Sequence, residues 1–156
     1  MNERADTIRT PISLVIPRKA EYISLCRLVA GVVGARDMLD EEVIADLKLA
    51  VSEACTCFLW GPEGGPLGSD DGAPEKPLSL RVDFAISPAA WEITISDPDG
   101  AHRLTPLAAQ TPMSEEALGL TIITALVDSI EQIESDGGSS QLRLVKLLRP
   151  QPVVNV

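Results

Sequence analysis

Polar and apolar positions along the chain fall into blocks of different period. The start through Thr10 is polar. Ile12–Ile16 (ISLVI) is β-branched and apolar, which predicts a short strand stopped by Pro17. From Ala20 to Ala35, Tyr22, Ile23, Leu25, Cys26, Leu28, Val29, Val32 and Val33 recur at helical spacing and predict an amphipathic helix. Its apolar face is read as core, with an interface as the alternative. Asp40 suits a helix cap, and Glu41, Glu42 and Asp46 favour the positive end of a second helix running to about Leu59. Strand patterns follow at Leu78–Ile86 and Trp91–Ser96, with a turn at Ser87–Ala90 between them. Leu118–Val127 (LGLTIITALV) predicts a largely buried helix. Ile130–Ser135 and Gln141–Leu148 predict a closing hairpin around Asp136-Gly137-Gly138-Ser139.

Two stretches break this order. Gly61–Pro77 (GPEGGPLGSDDGAPEKP) is rich in Gly, Pro and Asp and reads as a flexible loop, or else as an interdomain linker. Ala101–Glu116 carries Pro106 and Pro112 and is irregular. The order β, α, α, loop, β, β, loop, α, β, β predicts an α+β two-layer sandwich. Its sheet should be mixed and largely antiparallel, with about three helices on one face. One domain is expected over residues 11–149, between a flexible N-terminus (1–10) and a C-terminal tail (150–156).

Composition narrows the function. Of 156 residues, 45% are apolar, enough for a real core. Thirteen basic against 23 acidic side chains give a formal net charge of −10. That sign opposes direct nucleic-acid and anionic-membrane binding and suits a basic protein partner. No apolar run approaches the roughly 20 residues of a membrane span, and the polar start is no signal peptide. A reduced, cytoplasmic chain is expected. Cys26, Cys55, Cys57 and the single His102 support no metal site.

Four ordered segments carry the candidate chemistry. In DLKLAVSEACTCFL (Asp46–Leu59), Glu53 and Cys57 are four residues apart and share a helix face. Alone, such a glutamate is equally a solvated surface residue. In WEITISDPDG, a strand delivers Asp97 to its tip, where a carboxylate can accept a ligand's exocyclic amine or simply form a turn. In Glu116–Thr121 (EALGLT), Gly119 near a helix start exposes backbone N–H groups suited to a phosphate, a weak signal by itself. Val127–Glu131 (VDSIE) reads as structural.

Taken in order, these segments resemble the GHKL (Bergerat-fold) ATPase superfamily. They are most similar to its bacterial switch-kinase branch, the anti-sigma factors that are serine/threonine kinases. The resemblance covers about Ile12 to Leu148. Its strongest piece is DLKLAVSEACTCFL, similar to the branch's I-x-x-A-V-S-E-A-x-T-N-A helix. It implies ATP and Mg²⁺ as cofactors, with a sigma factor and an anti-anti-sigma factor as partners. Family members commonly dimerise, so a homodimer is among the expectations.

By the same resemblance, Glu53 is the general base toward a partner serine. Asp97 binds the adenine amino group, and Gly119, Leu120 and Thr121 belong to the phosphate-wrapping segment. Residues 101–117 form the ATP lid, and Arg27 on the first helix contacts both partners, an ordinary solvated arginine being the alternative.

The chain departs from the pattern at several positions. Cys57 stands where the family has a Mg²⁺-ligating asparagine, and a neutral thiol is a poor ligand for a hard cation. Asp99 and Ala101 replace the glycines of D-x-G-x-G, so Gly100 serves only if the loop shifts by one. Ala117 replaces the first lid glycine. Two readings compete: a sequestering kinase that phosphorylates its anti-anti-sigma partner, or a nucleotide-independent binding module on the same scaffold. A sensor histidine kinase fragment is a third, disfavoured because no dimerisation and phosphoacceptor segment precedes the domain.

Overall fold

A computed structural model describes residues 10–59, 78–98, 115–134 and 140–148. The first strand, β1 (Thr10–Pro17), leads through a 3-10 turn at Ala20–Tyr22 into α1 (Ile23–Arg36) and then α2 (Glu41–Cys57). The hairpin β2 (Ser79–Ile86) and β3 (Ala90–Ser96) follows, then α3 (Glu115–Leu126), β4 (Ser129–Glu134) and β5 (Ser140–Leu147). The predicted elements are all present. The loop 61–77, the predicted turn 136–139, Gly100 and most of the 101–117 lid region lie outside the described residues.

The five strands form one sheet in the order β1-β2-β3-β5-β4, and every pairing is antiparallel. The expectation of a mixed sheet thus resolves to a wholly antiparallel one. In the β2–β3 hairpin, the Ser87 hydroxyl accepts from Ala90 N at 3.1 Å and Ser87 N donates to Ala90 O at 3.0 Å.

Alternation sets the two faces of the sheet. Leu80, Val82, Phe84, Ile86, Trp91, Ile93, Ile95, Leu142 and Leu144 are buried beneath the helices. Arg81, Asp83, Glu92 and Arg143, one residue out of phase, carry ion pairs on the other face. The helices add Cys26, Ala30, Leu47, Ala50, Val51, Ala54, Cys55 and Ile123 to the core. Gly34 lets α1 and α2 pack closely. A Cβ built on Gly34 would lie 2.9 Å from an Ile44 side-chain carbon.

Two differences from the sequence reading bear on function. Helix α3 begins at Glu115, three residues before the predicted Leu118, so Gly119 lies in its second turn. On α1, only Ile23, Cys26, Ala30, Val33 and Gly34 are buried. Leu25, Leu28 and Val32 are 42%, 61% and 61% exposed, which corrects the reading of that whole apolar face as core. Helix α1 is apolar nearly all round, and periodicity cannot say which side the sheet and α2 cover.

Candidate functional site

The candidate residues gather at one end of the sheet. The opposite end is marked by a cleft of about 870 Å³ between the α1–α2 corner, the β2–β3 turn and the end of β5. That cleft is lined by Asp40, Val43, Pro88 and Lys146 among others, and none of the candidate residues lines it. Helix α2 starts there and runs away from it, as β3 does. The C-terminal turn of α2 and the tip of β3 therefore share the far end, and α3 starts beside them.

At that end, Gly119 of α3 is buried against α2. A Cβ built on it would sit 3.4 Å from Glu53 Oε2 and 3.7 Å from Cys57 Sγ. Three residues picked out by the sequence, Glu53, Cys57 and Gly119, are thus brought together. Glu53 is half-buried and Cys57 is buried. Position 119 leaves room between the helices that any side chain would occupy. The amide of Gly119 is too far inside α3 to be one of its unpaired N–H groups, since only the first four lack an intrahelical acceptor.

The neighbours of Gly119 play different parts. Leu120 is buried and belongs to the core rather than to an open surface. Thr121 is exposed, and its hydroxyl donates to Ala117 O one turn back at 2.8 Å. Arg27 is exposed on α1, on the flank it shares with Gly31 and Gly34 and to one side of the stripe of Leu25, Leu28 and Val32. Gly100 lies outside the described residues.

Asp97, just past β3, is the most constrained candidate. Its Oδ1 lies 2.6 Å from Arg18 Nη2, and the two side chains are 0% and 1% exposed. The Arg18 guanidinium also donates to Ser79 O, from Nη2 at 3.0 Å and from Nε at 3.3 Å. Its backbone N–H donates to Leu78 O at 2.9 Å. One arginine therefore ties the end of β1 to the start of β2 and the end of β3. Burial of both charges is sustained by this pairing, since an unpaired buried charge costs several kcal/mol. Sequence reasoning missed Arg18. The only cue was a charge directly after the strand-stopping Pro17, and nothing local marks it as buried.

The cysteines form a small thiol group between α1 and α2. All three are free and buried. Cys55 donates its S–H toward Cys26, which lowers the Cys26 pKa. The same bond, together with burial, raises Cys55 well above its ordinary 9.0.

Tested against ATP and Mg²⁺, the donor set fits poorly. The position facing Glu53 on α2 offers a buried thiol, and no cluster of three or more potential metal ligands occurs among the described residues. The strand-end carboxylate is already engaged by a guanidinium.

Comparison with known proteins agrees with this architecture. Residues 16–146 match the histidine kinase-like ATPase domain. The chain is 30% identical over 148 residues to the serine-protein kinase RsbW of Bacillus pumilus (strain SAFR-032), covering 88% of this chain and 84% of that one. It is 30% identical over 143 residues to RsbW of Listeria monocytogenes serotype 4a (strain HCC23), covering 85% of each. RsbW of Bacillus cereus (strain AH187) is 30% identical over 148 residues, 92% of this chain and 89% of its own.

Proposed function

The chain belongs to the histidine kinase-like ATPase domain family, and on that premise we propose that it is an anti-sigma regulator. It holds an RNA polymerase sigma factor and releases it to an anti-anti-sigma partner in the cytoplasm. The observation that carries this reading is the outer face of α1. Leu25, Leu28 and Val32 stand in water there, and Arg27 is exposed on a neighbouring flank of the same helix, on an otherwise acidic chain. Exposed apolar side chains at this spacing form a stripe that a partner surface can cover. The arginine adds a directed, charged contact of the kind found at interface centres.

Run-off transcription with core polymerase and each purified sigma factor of the source organism tests this reading. Added wild-type chain should silence one sigma factor, and Arg27→Glu should restore its transcripts at equal protein concentration. Inhibition of none, or equal inhibition by both proteins, would contradict it.

A second reading adds phosphate transfer to a partner serine, the activity named for the relatives. Its support is Glu53, whose carboxylate lies at the α2–α3 junction with space at Gly119 beside it. Glu53 would take the serine proton. ATP, when bound, would supply the phosphoryl group, and of residues 119–121 the exposed Thr121 is the one open to it. Because Cys57 and the engaged Asp97 do not suit Mg²⁺ and adenine, sequestration is the primary function. Labelled phosphate appearing on an anti-anti-sigma serine, and lost in Glu53→Gln, would establish the kinase reading. A homodimer using the α1 stripe would be seen as a halved sedimentation mass in Leu28→Asp.

A further inference from the structure

We propose that Arg18 determines base recognition at this site: its guanidinium holds Asp97, the carboxylate at the end of β3 that could accept a purine's exocyclic amine. This rests on the reading that Asp97 faces a nucleotide base. An exocyclic amine is a neutral donor, whereas the guanidinium is a charged one, and the charge-assisted bond is about twice as strong. At 2.6 Å, with both side chains out of water, Arg18 has already taken Asp97 Oδ1.

The arginine is also anchored independently of Asp97. Two of its nitrogens donate to Ser79 O, and its own backbone is tied to Leu78 O. Displacing it would leave a buried cation beside β2 without its counter-ion, a penalty that binding of a neutral amine does not offset. The chain thus fills the base-reading position with its own side chain. Adenine gains no preference there over a base that lacks a 6-amino group. Whatever nucleotide affinity exists comes from phosphate contacts, which do not distinguish bases.

The test is calorimetric titration of the full chain with ATP and with GTP, each with and without Mg²⁺, for wild type and Arg18→Met. Wild type should bind the two nucleotides within threefold of each other, or neither detectably. Arg18→Met, checked by circular dichroism, should bind ATP at least tenfold more tightly than GTP. If that variant does not fold, Arg18→Gln takes its place, since its amide removes the charge and can still donate to Ser79 O. A tenfold wild-type preference for ATP, or folded Arg18 variants without any such preference, overturns the proposal. Failure of the sequestering reading would instead appear in transcription assays that contain no titrated nucleotide, so the two failures are distinguishable.

Discussion

A single ion pair, Arg18–Asp97, ties the ends of β1 and β3 to the start of β2. Its removal has a thermodynamic signature as well as a binding one. Arg18→Ala removes the counter-charge of a buried carboxylate and should lower unfolding stability by about 3–5 kcal/mol, read from urea midpoints. Replacing exposed Arg36, which contacts Asp37 directly at 3.1 Å, by Ala should cost under about 1 kcal/mol in the same assay. The pair was invisible in the sequence because its partners lie on strands far apart in the chain. Asp97 itself was legible as the tip of an apolar strand. Glu53 and Cys57 were legible as one helix face from their spacing, whereas Gly119, which packs against both, was tied to them only by the family resemblance. The cysteines give a further residue-scale expectation. Cys26 has the lowered pKa, yet like Cys55 and Cys57 it is buried. The folded protein should resist iodoacetamide at neutral pH and take up three equivalents only after denaturation. Rapid labelling of the native chain would mean that the α1–α2 seam opens readily.

Among the elements, α1 carries the most information because its two sides do different work. Gly34 meets Ile44 at a distance no added Cβ tolerates, so Gly34→Ala should destabilise by roughly 1–3 kcal/mol. Gly31, one turn earlier, faces only the flexible Lys48 side chain at 3.6 Å. Gly31→Ala should therefore stabilise by up to about 1 kcal/mol through helix propensity. Both glycines face α2, so opposite signs measured by thermal melts would confirm that the two helices meet tightly at Gly34 and loosely at Gly31. Periodicity gave the existence and span of this helix but not its orientation, since apolar residues occur on nearly every side. The start of α3 was misplaced for a related reason. Glu115 and Glu116 precede the apolar run and read as loop, although acidic residues in a first turn are favoured by the helix dipole.

At the scale of the whole molecule, the sheet is a frame with two unlike ends and one covered face. Alternating residues in every strand made that covered face legible from the sequence, whereas the wholly antiparallel order depended on how β4 and β5 return beside β3. No helix among the described residues is long and apolar enough to cross a membrane. The net charge of −10 gives long-range attraction to a basic partner. Association with a sigma factor should slow as salt rises from about 0.05 to 0.5 M, because screening shortens the reach of that field. Dissociation, governed by the apolar stripe of α1, should change far less.

The central claim is that the α1 face holds a sigma factor without help from a nucleotide. Its most direct test is titration of the purified sigma factors into the chain in nucleotide-free buffer, for wild type and for Leu28→Asp of unchanged circular dichroism. The account predicts submicromolar binding of one sigma factor by wild type and at least a tenfold loss in the variant. Binding that appears only after ATP is added, or that Leu28→Asp leaves intact, would contradict it.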